Sequence, residues 1–282
     1  MSNSSSPALA AAAPPSWLLR LSRDLMHWLR EVGIGLIVPL ALFALWVVSA
    51  DRGWLPSQVL PAPSDVAQGL GDMWRSGDLA HHASVSLLRV VYGFSAGAIA
   101  GLALGIAMGL SRRVEDYVKP LFTAFAQVPT LGWIPFLMLL VGIGEGLKIL
   151  VIAKAAFVPM VMNTSSGIRN IPPGYFEVAA AFRFTKLQLL RHLVLPAAVA
   201  PIFTGVRYGL THAWLALVAV ELLASSEGLG YLLVWGRQMF WLDTVMIAMI
   251  AIGVVGFILD KATAGIERRL QRWRVTALDG QV

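Results

Sequence analysis

An all-α polytopic membrane protein with six transmembrane helices is the fold class this sequence predicts, and three observations predict it. The 282 residues are 57% hydrophobic and only 13% charged, where a soluble globular chain carries about 25% charged residues. Six apolar segments are long enough for a hydrocarbon core of ~30 Å and are separated by polar connections. Lysine and arginine concentrate in alternate connections, as they do in chains that cross a bilayer repeatedly.

Residues 1–32 precede the first apolar segment. Residues 1–16 are almost all Ser, Ala and Pro, a composition that cannot bury enough apolar surface to order itself. From Trp17 to Arg30 the apolar residues Trp17, Leu18, Leu21, Leu25, Trp28 and Leu29 recur at helical spacing. Arg20, Arg23, Asp24, His27 and Arg30 fill the other side. The stretch reads as an amphipathic helix lying on the membrane, or as the charged flank of the first span.

The spans expected within residues 33–264 are Gly33 to Ala50, Ser84 to Leu110, Val118 to Gly142, Leu147 to Asn163, Leu195 to Ala224 and Leu242 to Ala264. The first ends Val48-Ser49-Ala50, which resembles a signal-peptidase site, but the arm before it is long for a signal peptide. It reads as a retained span. Of 22 Lys and Arg, fifteen fall in the tail and alternate connections, among them Arg112, Arg113, Arg169, Arg183, Lys186, Arg191, Arg268, Arg269, Arg272 and Arg274. The opposite connections hold only Arg52, Arg75, Lys148 and Arg237. Both termini, the loop over residues 164–195 and the basic tail over residues 265–282 are therefore expected on the cytosolic side.

The connection from Asn163 to Pro196 is the unusual one. Arg169, Glu177, Arg183, Lys186 and Arg191 keep it out of the bilayer. Pro172-Pro173-Gly174 signals a turn, and Glu177 to Leu195 carries good helix formers with no internal proline. A helix starting at Glu177 is expected, with that carboxylate in its first turn, where the dipole favours it. Pro196 marks the entry to the next span.

Gly93, Gly97, Gly101, Gly105 and Gly109 stand at strict four-residue spacing. Such a row strips one ridge of a helix to its backbone and admits a close neighbour. Pro129, Pro135, Pro159 and Pro201 predict kinked helices. Arg89, Lys154, Arg207 and Glu221 fall inside spans, where a charge is costly unless paired or wet. Arg89 and Lys154, near span ends, are expected to snorkel or pair. Arg207, Trp214 and Glu221 are seven residues apart and share one helical face, a candidate lining for a translocation path or a set of paired charges.

Several function classes drop out. There is no cysteine, hence no disulfide or thiolate site. A G-x-x-x-x-G-K-[ST] loop is missing, so this chain does not hydrolyse ATP alone. No H-E-x-x-H occurs among the five histidines, so metal-dependent catalysis has little support. Adjacent His81 and His82 in a connection with no further ligand cluster read as a solvated loop rather than a metal site. A passive channel remains, yet it has no need of a folded helix between two spans.

Glu177-Val178-Ala179, three residues, Arg183, nine residues, then Leu193-Val194-Leu195-Pro196 resembles the Glu-Ala-Ala loop of permease subunits of bacterial ATP-binding-cassette importers. The resemblance extends over about residues 55–270, including Gly53-Trp-Leu-Pro56, Gly142 to Ile149 and Gly205 to Trp214. It is strongest to the sulfonate, taurine and nitrate branch, and nearest to aliphatic sulfonate members. Arg183 stands where that family has the glycine that turns between two short helices; the turn is made here with negative φ, or the loop is more continuously helical. A side chain held at positive φ would cost on the order of 1 kcal/mol.

The resemblance implies a type I importer permease fold acting as a homodimer in a bacterial inner membrane. An ATPase subunit would dock under each copy and bind the ATP and magnesium, while this chain holds no cofactor. A periplasmic binding protein would deliver the ligand, with no role for nucleic acid. Glu177, Val178, Ala179, Ala180, Arg183, Leu195 and Pro196 would form the coupling loop, in which Glu177→Arg or Ala179→Glu is expected to uncouple ATP hydrolysis from uptake. An aliphatic sulfonate is the first expectation for substrate, with taurine, nitrate or bicarbonate, and a thiamine precursor behind it.

Overall fold

The computed structural model describes residues 16–56 and 59–270, with side chains from residue 33 to residue 269. All but Ser16 of the tail expected over residues 1–16, the side chains of the amphipathic stretch and the residues beyond 270 lie outside the described residues. All regular structure within them is helical, and the chain divides into two compact units that meet at Pro63–Ser64.

The first unit is a single long helix and a turn. α1 (Ser16–Asp51) runs without a break through Gly33 into the first apolar segment and contains Pro39. Phe43 and Trp46 meet edge to face at 5.8 Å. Trp46 Nε1 donates to the Pro61 carbonyl at 3.0 Å, which ties the following turn back to the helix.

The second unit begins with α2 (Pro63–Ser76), α3 (Asp78–Leu110) and α4 (Arg112–Gln127). After a 3₁₀ turn at Thr130–Trp133 come α5 (Ile134–Val141), α6 (Glu145–Arg169), α7 (Pro173–Ala181) and α8 (Lys186–Gln188). A π turn at Leu189–Val194 then leads into α9 (Leu195–Ala224), followed by α10 (Leu229–Gln238) and α11 (Leu242–Leu270). Among the described residues, four helical segments can cross a membrane by length and composition, or five if one bent pair counts as a span. α6 is not among them, so six crossings do not follow from apolar length alone.

The bent pair corrects the expected span from Val118 to Gly142. Instead of one rod, α4 and the segment Thr130–Val141 meet at 92°. A residue before proline is driven out of the helical region, and Val128, ahead of Pro129, is extended with φ −74° and ψ 118°. The break is local chemistry, and Pro135 in the first turn of α5 restarts the helix.

α3 and α6 run parallel in constant register, because the glycine row of α3 lies on a matching four-residue row of α6. A Cβ built on Gly93 would meet Ile152 at 2.6 Å, on Gly101 Met160 at 2.7 Å, on Gly105 Thr164 at 2.6 Å and on Gly109 Ile168 at 2.8 Å. The two backbones approach as far as glycine allows, which is how helices associate where lipid supplies no hydrophobic drive. α9 runs back antiparallel across α6, with Pro201 seated on Gly167 and Gly205 against Asn163. One apolar cluster joins Ile134, Leu147, Val151, Ala216 and Val220 near the start of α6. A second joins Ile168, Ile171, Val194 and Ala198 at its other end. Between them these clusters fix where the loop before α9 emerges.

Candidate functional site

Two arrangements stand out at opposite ends of α6. The first is the connection from α6 to α9. α6 continues through Arg169, so the connection starts at Asn170. Pro172, at φ −55° and ψ 137°, sets up α7, and Pro173 occupies its first turn, where a missing N–H costs nothing. The helix thus starts four residues before Glu177, which falls outside the first turn and has no dipole role of the kind expected.

Nor is the helix continuous to Leu195. Arg183 has φ +53°, Arg183 N–H donates to Ala180 O at 2.9 Å, and Phe184 N–H donates to Ala179 O at 3.0 Å. These two bonds are the Schellman ending of a helix, whose left-handed residue is usually glycine. Both alternatives expected for Arg183 are thereby corrected: it makes the sharp turn with positive φ. Arg183→Gly should relieve on the order of 1 kcal/mol of local strain. The check is a raised melting temperature of the purified protein; no change would mean that the loop absorbs the strain elsewhere.

Thr185 restarts the chain with a capping box. Its N–H donates to Gln188 Oε1 at 2.8 Å, and Gln188 N–H donates to Thr185 Oγ1 at 3.3 Å. The chain then widens into the π turn, in which Leu195 N–H reaches back to Leu190 O, and Pro196 lies in the first turn of α9.

Anchoring and exposure divide this knob cleanly. Phe176, Leu189 and Leu190 pack on the cluster of Ile168, Ile171 and Val194. Ala179 is buried as well, so it is not a seat for a partner and a carboxylate there would disturb the fold. Outward-facing are Glu177, Ala180 and Ala181, with Tyr175, Val178, Phe182 and Leu187 at 56–75% exposure. Glu177 makes no ion pair or side-chain hydrogen bond among the described residues. These side chains leave apolar surface exposed on a connection that also carries Arg183, Lys186 and Arg191.

The second arrangement lies at the start of α3 and α6 and the end of α9. Arg89 and Glu221 are both almost fully buried. Arg89 Nη1 donates to Glu221 Oε1 and to Glu227 O, each at 2.7 Å. Its Nε and Nη2 form a fork on Glu145 at 2.7 and 2.6 Å, and Lys148 Nζ donates to the same carboxylate at 2.7 Å. Ser86 Oγ donates to Glu221 at 2.9 Å and accepts from Leu229 N–H at 2.9 Å. Gly230 N–H donates to Glu221 Oε2 at 2.9 Å.

Gly228 sits so close that a Cβ would lie 2.2 Å from Glu221 Oε1. Two cations thus meet two carboxylates, and the network ties α3, α6, α9 and the turn before α10. Glu145 precedes the apolar run of its helix, and the Arg89 guanidinium holds its carboxyl down to about 2. That contribution is full above pH 4.5 and is lost as the pH falls through about 2.

The expected face of Arg207, Trp214 and Glu221 does not line one cavity. Arg207 is half-exposed and paired with Asp260 at 2.9 Å, with Glu267 at 3.7 Å. Trp214 packs its Nε1 edge against Gly256 of α11. Glu221 has its oxygens engaged within the chain. These residues clamp α9 to its neighbours. Arg89 does pair, as one of its two expected alternatives had it; Lys154 instead donates to Val128 O at 2.7 Å. Reading the charges singly missed the network, although Glu221, one of three acids within the expected spans with Asp243 and Asp260, had to find a cation. Among the described residues no group of His, Asp and Glu is arranged to hold a metal.

Residues 96–272 match the family described as the binding-protein-dependent transport system inner membrane component. The chain belongs to this family. It is the membrane permease subunit of an ATP-binding-cassette importer, a transport protein and not an enzyme. SsuC of Bacillus subtilis, a protein named for aliphatic sulfonates transport, is 38% identical over 240 residues, 85% of this permease and 87% of SsuC. SsuC of Escherichia coli is 34% identical over 91% of this chain and 93% of its own. The taurine transport system permease protein TauC of Escherichia coli is 30% identical over 86% of this permease and 90% of its own length. A chain of the inward-facing MetNI methionine ABC transporter superposes with a TM-score of 0.61 at 19% identity, covering 71% of this permease and 98% of that chain. At that identity the likeness is one of fold, that of an importer permease embedded in the membrane by several apolar helices.

Proposed function

We propose that this permease carries a small organic anion, an aliphatic sulfonate first, across the inner membrane by alternating access, as a homodimer of six-span subunits. Both termini and the α7 knob face the cytosol, where an ATPase subunit receives the knob; a periplasmic binding protein delivers the substrate on the other side. The names of the two SsuC relatives support the sulfonate, and TauC supports an amine-bearing sulfonate as the second reading. Alternate connections rich in Arg and Lys support the orientation.

The observation that carries the coupling role is the exposed patch of Tyr175, Val178 and Phe182 around unpaired Glu177, on a helix firmly rooted through Phe176. Such a knob transmits a push because its root, the π turn and α9 are one continuous chain. Closure of an ATPase dimer beneath it would tilt α9 and exchange outward for inward access.

Reconstitution with the ATPase and binding protein tests this. In Glu177→Arg and Ala180→Glu, uptake should fall at least about tenfold, a coupling loss of ~1.4 kcal/mol or more, while the permease stays folded and ATP hydrolysis continues. Normal coupled transport in both variants would rule the knob out as the coupling element. Uptake of a cation with no sulfonate transport would reject the anion.

A further inference from the structure

Where the chain breaks between α4 and α5 it leaves an open-sided cavity of about 290 Å³, lined also by α3 and α6. The walls are hydrocarbon. Phe125 lies 5.0 Å from Trp133 and 6.2 Å edge-on from Phe157, centroid to centroid, and Leu137 and Ala100 complete the lining. One charged side chain borders it, Lys154.

The Lys154 ammonium donates to Val128 O at 2.7 Å and to Thr130 Oγ1 at 3.2 Å, and lies 5.4 Å from the centre of the Phe125 ring. Those two bonds cap the end of α4 and leave the third N–H of the ammonium unused. No carboxylate faces it among the described residues, so the charge is uncompensated at a depth where charge is costly. Beside it the Trp133 indole N–H is buried and has no acceptor. A cation without a counter-ion and a donor without an acceptor, on one cavity, lack the same thing.

We infer that this cavity is an intramembrane subsite for the transported anion, with an oxyanion head held by Lys154 and Trp133 and a short hydrocarbon tail against Phe125, Phe157 and Leu137. The assignment rests on the importer reading above and narrows its substrate class. Nitrate or bicarbonate, with no hydrocarbon, would leave the aromatic walls unmatched; an alkanesulfonate satisfies head and walls together. Lys154 is about 13 Å along α6 from its start at 1.5 Å per residue, toward the middle of the bilayer. Broken helices at that depth place substrate groups in membrane transporters.

The chain has five lysines, at 119, 148, 154, 186 and 261, so biosynthetic labelling with ¹³C at Cε yields a countable spectrum in which Lys154→Gln identifies one signal. Titrating the purified full chain with 1-butanesulfonate should shift the Lys154 signal saturably and leave Lys186 and Lys261 in place. Butylammonium should not move it. Trp133→Phe, which keeps an aromatic wall and removes the N–H, should weaken the apparent affinity about five- to tenfold with the other four signals unchanged. A Lys154 signal that stays still, or moves only as far as Lys186, overturns the subsite. Nucleotide-driven uptake is a separate measurement, so that result would leave the importer assignment standing.

Discussion

Arg89→Ala will destabilise the folded permease by about 3–5 kcal/mol, the cost of leaving a buried carboxylate without its cation. The size follows from what the guanidinium holds. Glu221 keeps Ser86 and the Gly230 N–H as partners, but its negative charge stays in a site closed to water. At the same stroke Glu145 and the Glu227 carbonyl are released, so the turn before α10 and the entry to α6 lose their common anchor.

Arg89→Lys should recover less than half of the loss, since an ammonium cannot fork onto Glu145 while bonding Glu221. The double replacement Arg89→Met with Glu221→Leu should cost well under the sum of the single changes, because no orphan charge remains. Thermal unfolding of the purified protein measures these three variants and the single replacements Arg89→Met and Glu221→Leu. A loss below about 1 kcal/mol for Arg89→Ala, the value of an exposed pair, would mean that water reaches this network.

Gly97→Ala comes next. A methyl group there would lie 2.1 Å from Ala153 O and 2.8 Å from its carbonyl carbon, and backbone atoms cannot rotate away. α3 and α6 must separate, which undoes the contacts of the four glycines in register with it. Overpacking ordinarily costs about 1–3 kcal/mol, and a clash with backbone belongs at the upper end. Gly253→Ala on α11 supplies the contrast, because nothing lies within 4 Å of a Cβ there. It should be neutral or gain up to about 1 kcal/mol of helix propensity. Equal effects at the two positions would show that the row on α3 is not a contact surface.

Much of this was legible in residue order because it depends on neighbours in the chain. Hydrophobic runs must be helical in lipid, since every peptide group has to bond within its own segment. The four-residue glycine spacing named the packing ridge of α3 before its partner was known. The break at Pro129 could have been located, since the residue before proline leaves the helix, yet apolar content alone drew one span across it. Glu177 to Leu195 looked continuous because nothing there is a poor helix former; the turn at Arg183 lets Phe176 and Leu189, on either side of it, pack against one cluster.

By itself, then, the sequence determined an all-helical membrane chain, its membership in an importer family and the charged connection between two apolar segments, all properties set by composition and short spacings. Only the tertiary structure decided which charge meets which. Arg89 and Glu221 are 132 residues apart, and no local rule carries information over that distance. It also decided that the face of Arg207, Trp214 and Glu221 clamps helices together, and that Ala179 turns inward while Ala180 turns out. A charge in a low-dielectric interior is governed by its nearest opposite charge, and which one that is depends on how the helices cross.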